Sequence, residues 1–308
     1  MSKFIIRRLL GLIPTLFIII TISFFVIRVA PGGPFSAERK VSPEVLRNLE
    51  AKYNMDDPLM KQYADYLWNV VQFDLGPSFV YKDFDVNFYI GQGLPNSMIV
   101  GGLAVAVALV LGLIAGIISA LRQNSVYDYA AMSVAVIGIS VPLFVIGPAL
   151  MYVFAVQLGW LPVAGWIDRL GPVALIMPVA TLALPPFAYI ARLSRASVLE
   201  ILRSDYVRTA RAKGLSTPVV VFKHVLKGSM LPVVSYLGPA LAATLTGSVV
   251  VEQIFRIPGL GRHFINSAFN RDYTMIMGTV IVYSALLLIM NFIVDVIYGY
   301  LDPRISYK

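Results

Sequence analysis

The chain has 308 residues, 58% of them hydrophobic and 14% charged, with a mean hydropathy of +0.76. A soluble domain carries roughly 25% charged residues, so most of this chain is solvated by lipid rather than water. It contains no cysteine, which excludes a disulfide framework, a thiolate metal site and a cysteine nucleophile. His224 and His263 stand too far apart in sequence to suggest a metal cluster. The net charge of +8 points in such a chain to basic cytoplasmic loops rather than to nucleic acid.

A helix needs about 20 mostly apolar residues to cross the hydrocarbon core. Stretches of that kind run over 9–29, 98–121, 130–156, 173–191, 231–251 and 276–299. They predict an all-α integral membrane protein of about six transmembrane helices. The first stretch follows Lys3, Arg7 and Arg8 as a signal peptide would, but it is long for a signal core. Pro31-Gly32-Gly33-Pro34 follows it instead of a small-x-small cleavage site. It reads as a retained span.

The long segment 31–96 carries six basic and nine acidic residues. Within it, Ser42 and Pro43 are placed to start one helix, and Tyr63, Tyr66, Leu67 and Val70 share a face of a second. Those side chains read first as packing or membrane-interface anchors. In the second span Ala104, Ala108, Gly112, Gly116 and Ala120 form a small-residue face that admits close backbone approach. Its partner is either another helix of this chain or a second membrane subunit. The third to fifth spans contain Pro142, Pro148, Pro178, Pro185, Pro186, Pro232 and Pro239, which break or kink helices. With Thr244, Thr246 and Ser248 they fit a translocation path or ordinary packing equally.

The segment 192–230 holds eight basic residues, Arg192, Arg195, Arg203, Arg208, Arg211, Lys213, Lys223 and Lys227, against Glu200 and Asp205. Basic residues also mark the N-terminus, Arg122 in the short 122–128 loop, and Arg304 and Lys308. Lys/Arg excess faces the cytoplasm, so both termini and 192–230 are expected inside, with 31–96 as a long extracytoplasmic segment between spans one and two. Arg28, Glu252 and Asp295 stand near span ends, and few ionisable groups lie at membrane depth. That counts against an ion-coupled secondary transporter. The sequence also has no G-x-x-x-x-G-K-[ST] phosphate loop, so any ATP-derived energy comes from another chain.

Inside 192–230, Ser204 and Asp205 mark a helix start and Gly214 its end. Ser216 or Thr217, with Pro218, starts a second helix. Such a loop can face lipid headgroups or dock a cytoplasmic protein. Tethering to the bilayer at both ends argues against a DNA-binding helix-turn-helix.

The run Tyr206-Val207-Arg208-Thr209-Ala210-Arg211-Ala212-Lys213-Gly214-Leu215 resembles the coupling loop of the peptide/nickel-type ABC importer permeases. It departs from the broader importer consensus, with Arg208-Thr209-Ala210 at the E-A-A positions and Lys227 where a proline would fall. Further stretches are similar in order and spacing: Arg28–Phe35, Asp74–Phe79, Glu252–Arg262, Arg271-Asp272-Tyr273, and Asp295 with Leu301–Ile305. Gly76–Asp83 is most like the oligopeptide members.

The resemblance implies a multi-pass permease of the bacterial cytoplasmic membrane that translocates oligopeptides and is not itself an enzyme. Dipeptides, glutathione and nickel chelates are the alternative cargoes. It implies a heterodimer with a second permease subunit, two ATP-binding subunits that would hold ATP and magnesium, and an extracytoplasmic peptide-binding protein. The ATPase would meet Tyr206, Arg208, Thr209, Ala210, Arg211, Ala212, Lys213, Gly214 and Leu215. Membrane lipid is the remaining partner, and nucleic acid is not one.

Overall fold

The computed structural model describes residues 2–29, 53–81, 84–245 and 247–301. The proposed Ser42 helix, Thr246, most of the Arg28–Phe35 stretch and residues 302–308 lie outside them. The described chain is helical, without a strand. Four helices are long and apolar enough to cross a membrane, and the number rises to six if each of two bent helix pairs counts as one span.

Helix α1 (Ser2–Val29) and α2 (Leu59–Val71) are followed by α3 (Val86–Leu121), which begins well before the predicted 98. Then come α4 (Val126–Ser140) and α5 (Leu143–Leu150), the latter continuing as a π-helical stretch, Met151–Gln157. The expected span 130–156 is therefore not one rod. Its two arms meet at 113°. Val141, held extended (φ −90°, ψ 123°) ahead of Pro142, sets the break, because the proline ring crowds an αR conformation at the residue before it. Pro148 removes a backbone donor, and the ladder widens to the π pattern just beyond it.

A short α6 (Ile167–Leu170) leads to α7 (Ile176–Leu202). This helix runs past the expected end at 191, so Arg192 and Arg195 are helical rather than in a loop. After α8 (Asp205–Ala212), the pieces α9 (Thr217–Val220) and α10 (Leu226–Ser229) lead through a 55° bend into α11 (Leu231–Leu245). The fifth predicted span, 231–251, is interrupted between Leu245 and Val249, where Gly247 takes φ +88°. α12 (Val249–Phe255), α13 (Leu260–Asn270) and α14 (Tyr273–Leu301) complete the described chain.

α7 is the central element. Within its most apolar window 61% of residues are buried, against 11% for α1 and for α14. Its partner is the small-residue face of α3. Ala104 and Ala108 are wholly buried. A Cβ at Gly112 would lie 2.9 Å from Ile190 Cγ2, and one at Gly116 would lie 2.6 Å from the Ala191 carbonyl oxygen and from Ser194 Cβ. The face is thus filled from within this chain. α4 packs on α7 through Gly138, whose Cβ would stand 3.0 Å from the Leu184 oxygen. α1 lies on α14 through Ile20, Phe24, Met277 and Ile281. Tyr63, Tyr66, Leu67 and Val70 of α2 close that cluster, in the packing role expected of them.

Gly116→Val should therefore force α3 off α7. Overpacking of this kind costs about 1–3 kcal/mol or more, and the contact is backbone, which does not yield. The expected outcome is a fall in thermal stability of the detergent-extracted protein by fluorescence-detected gel filtration. Gly102→Val, which meets only the flexible Leu245 side chain, should be far milder.

Candidate functional site

The basic segment folds as a helical hairpin. α8 ends in a Schellman turn, in which the Gly214 N–H donates to the Arg211 oxygen at 2.9 Å and the Leu215 N–H donates to the Ala210 oxygen at 3.4 Å. Gly214 holds φ +80° with open space around it, so glycine is needed there for backbone freedom rather than for room. Ser204 occupies the cap position, but its hydroxyl donates back to the Ile201 oxygen at 2.7 Å instead of capping α8. Ser216 holds the cap position of the next helix, likewise without a side-chain capping bond, and Pro218 stands in its first turn.

The segment divides cleanly by exposure. Val207, Ala210, Val220 and Val225 are buried with Ala120 of α3 and Val198 of α7. Tyr206, Arg208, Thr209, Arg211, Ala212, Lys213, Gly214 and Leu215 are exposed, and so is everything on to Val219. Eight of the nine residues expected to meet a partner are thus exposed, and Ala210 is buried.

One buried carboxylate ties that base together. Asp128, 3% exposed, accepts from Arg195 Nε at 2.7 Å through Oδ1 and from Arg195 Nη2 at 2.7 Å through Oδ2. The Ser119 hydroxyl and the Asn124 N–H complete its coordination. A bidentate guanidinium–carboxylate pair has little angular freedom, so α3, α4 and α7 are pinned at one end. Sequence reading missed Asp128 and took Arg195 for one loop cation among eight. The available signal was Ser125-Val126-Tyr127-Asp128 ahead of an apolar run, the spacing of a capping box. Ser125 does accept the Asp128 N–H, at 3.4 Å.

At the opposite end, segments distant in sequence converge. Asp272 is buried. It accepts the Ser78 hydroxyl, the Phe79 N–H at 3.1 Å, and the Met275 N–H at 3.2 Å at the start of α14. Glu252 is also buried. It accepts the Ser97 hydroxyl at 2.7 Å and the Arg262 N–H at 3.1 Å, while the Ser97 oxygen accepts the Leu260 N–H at 2.9 Å. Burial pushes the Glu252 carboxyl up and holds the His263 imidazole down. Thr244, a candidate for a polar path, donates to the Ala240 oxygen of its own helix at 2.8 Å.

Residues 108–307 match the family model for the binding-protein-dependent transport system inner membrane component, and residues 1–78 match the N-terminal model of the same component. The chain belongs to that family. Among similar proteins, the oligopeptide transport system permease protein OppB of Haemophilus influenzae is 48% identical over 307 residues, covering 100% of both chains. The dipeptide transport system permease protein DppB of Bacillus subtilis is 46% identical, covering 99% of this chain and 98% of the relative. Among solved structures, the inward-facing MetNI methionine ABC transporter shares the fold at a TM-score of 0.57 and 18% identity, over 70% of this chain and 97% of that one. This family member is therefore a multi-pass protein of the cytoplasmic membrane and a transport subunit rather than an enzyme.

In this permease Asp128→Ala should leave the Arg195 guanidinium, the Ser119 hydroxyl and the Asn124 N–H without their acceptor. The pair is only partly buried, with the Arg195 side chain 26% exposed, so removing one partner costs about 1–3 kcal/mol. Amide hydrogen exchange over residues 119–128 and 195–207 should accelerate. Arg195→Lys, which cannot make the fork, should lose most of the same protection.

Proposed function

We propose that the chain is one half of the membrane pore of an ATP-driven peptide importer, with oligopeptides as cargo. The observation that carries this reading is end-to-end identity of 48% with an oligopeptide permease, joined to an exposed basic hairpin on a fixed apolar base. The similar identity to a dipeptide permease supports dipeptides as the second reading. Counting each bent helix pair as one span gives six spans. With the basic hairpin inside, both termini are cytoplasmic and 31–96 faces out.

In this reading a second permease completes the pore, an external binding protein delivers the peptide, and two ATPase subunits hold ATP and magnesium. The docking surface is Tyr206, Arg208, Thr209, Arg211, Ala212, Lys213, Gly214 and Leu215, braced by Ala210 beneath. Closure of the ATPases displaces the hairpin. Val207, Val220 and the Asp128–Arg195 pair pass that displacement to α3 and α7. Charged side chains at the rim set approach and register with the ATPase, and the buried valines resist compression.

Gly214→Val tests this. A β-branched side chain is strained at φ +80°, while the space around the residue is open, so the damage is confined to the turn. The assembled importer in proteoliposomes should keep membrane insertion and subunit composition but lose peptide uptake by roughly ten-fold or more, one hot-spot contact being worth ≥ 2 kcal/mol. Undiminished ATP-dependent uptake would sink the docking role. Uptake by the isolated chain under an ion gradient, without ATP, would sink the importer reading itself.

A further inference from the structure

A cavity of about 200 Å³ opens beside the end of α1 farthest from the N-terminus, between α1, α2 and the Leu75–Phe79 loop. Tyr53, Asn54, Met55 and Thr274 complete its lining. Its wall holds an unusual cation. Arg28 stacks on the Phe24 ring, with its guanidinium carbon 3.6 Å from the ring centroid, and spends one donor on Gln62 Oε1 at 3.2 Å. Among the described residues no carboxylate pairs with it. Beside it the Tyr66 hydroxyl is buried with no hydrogen-bond partner. Asp57 and Asp65 also line the cavity. Lys61 neutralises Asp57 at 3.0 Å, and Asp65 makes no ion pair among the described residues.

A half-buried guanidinium with unused donors and an orphan buried hydroxyl are both costly unless an acceptor joins them. The planar fork of arginine matches the oxygens of a phosphate. Depth narrows the source. Arg28 stands in the last turn of an apolar helix, where headgroups lie. Further along α1, on the side turned away from α2, Ile18, Ile22 and Val26 are each more than half exposed, so this helix runs beside lipid up to the depth of Arg28. Asp65 at the mouth supplies the opposite charge for a cationic end.

We propose that this cavity holds the headgroup of a zwitterionic phospholipid, with its phosphate against Arg28 and Tyr66 and its ammonium toward Asp65. The bound lipid joins α1 to α2 at a place where the protein itself leaves polar groups unmatched.

The test uses the full chain in its assembled complex, extracted into polymer-bounded discs from bilayers containing equal phosphatidylethanolamine and phosphatidylglycerol. Native mass spectrometry should find phosphatidylethanolamine retained in preference. Arg28→Gln should reduce that retention by roughly ten-fold or more, the range for loss of a charged hydrogen bond. Asp65→Asn should shift the preference toward phosphatidylglycerol.

A second measurement leaves the site intact. With Trp160→Phe and Trp166→Phe, Trp68 on α2 remains the one tryptophan of this chain, and the part of the complex's fluorescence lost on Trp68→Phe should be quenched more by brominated phosphatidylethanolamine than by brominated phosphatidylglycerol at equal mole fraction. Equal retention of the two lipids, or retention unaffected by Arg28→Gln, overturns the proposal. Displacement by soluble glycerophosphoethanolamine at comparable concentration overturns the lipid assignment, and displacement by a transported peptide makes the cavity a cargo site instead.

Discussion

The close approach of α3 to α7 is the constraint on which the rest of the structure depends. Between helices in lipid there is no hydrophobic driving force of the kind that collapses a soluble core, because the solvent is as apolar as leucine. Contact must come from dispersion over closely fitted surfaces, which requires small residues where backbones meet. Gly112 and Gly116 let α3 rest directly on the α7 backbone at Ile190, Ala191 and Ser194. Gly138 does the same for α4. Gly101 faces the backbone of Thr244 in α11. The central core of Val100, Ala104, Ala108, Leu182, Ala183 and Ile190 is built on that seam, and the peripheral helices α1 and α14 rest outside it.

Polar groups reinforce the ends of this apolar assembly. Asp128, Glu252 and Asp272 are each buried, and each accepts from segments that the sequence keeps apart. A carboxylate with several donors is satisfied even out of water. It also fixes geometry more sharply than an apolar contact can, because its donors must point at it. The glycines around Glu252 follow from this. Gly247 and Gly259 approach the carboxylate so closely that side chains there would fill its place, and Gly261 packs tightly beside it. Arg28 stands out against these three because its partner set among the described residues is incomplete.

Helix content, the small-residue face and the hairpin were all legible in the sequence because each is a local pattern. Apolar length identifies a span. A spacing of four puts Ala104 to Ala120 on one side. Ser204 to Gly214 is punctuated by residues with backbone reasons to be there. The bends were not legible. Val141-Pro142 lies inside an uninterrupted apolar run, and hydropathy does not register a change of direction. The start of α3 at Val86 was missed because its first turns, among Asn87, Gln92 and Asn96, are not apolar enough to read as a span. Long-range pairs were hidden for a different reason. Nothing local links Ser78 to Asp272 or Asp128 to Arg195, and the Gly214 loop showed its turn but not which of its side chains faced inward.

Under the proposed function, the distribution of fixed and broken elements limits how the pore half can move. α3 and α7 meet backbone to backbone and are pinned by Asp128 and Arg195, so they travel as one body with the hairpin seated on their end. Change of shape is then left to the 113° corner at Pro142, the 55° bend at Met230 and the interruption between Leu245 and Val249. Each is a place where the regular helical ladder is already bent or interrupted, beside Pro142, Pro232 or the left-handed Gly247, so changing an angle there breaks few further hydrogen bonds. The last of these carries a constraint that the other two lack. Glu252 and Ser97 join the far side of the break to α3, and that bond would have to travel with α3 or yield. A displacement of the hairpin therefore reaches the opposite end through α3 first, and α11 follows at its own bends.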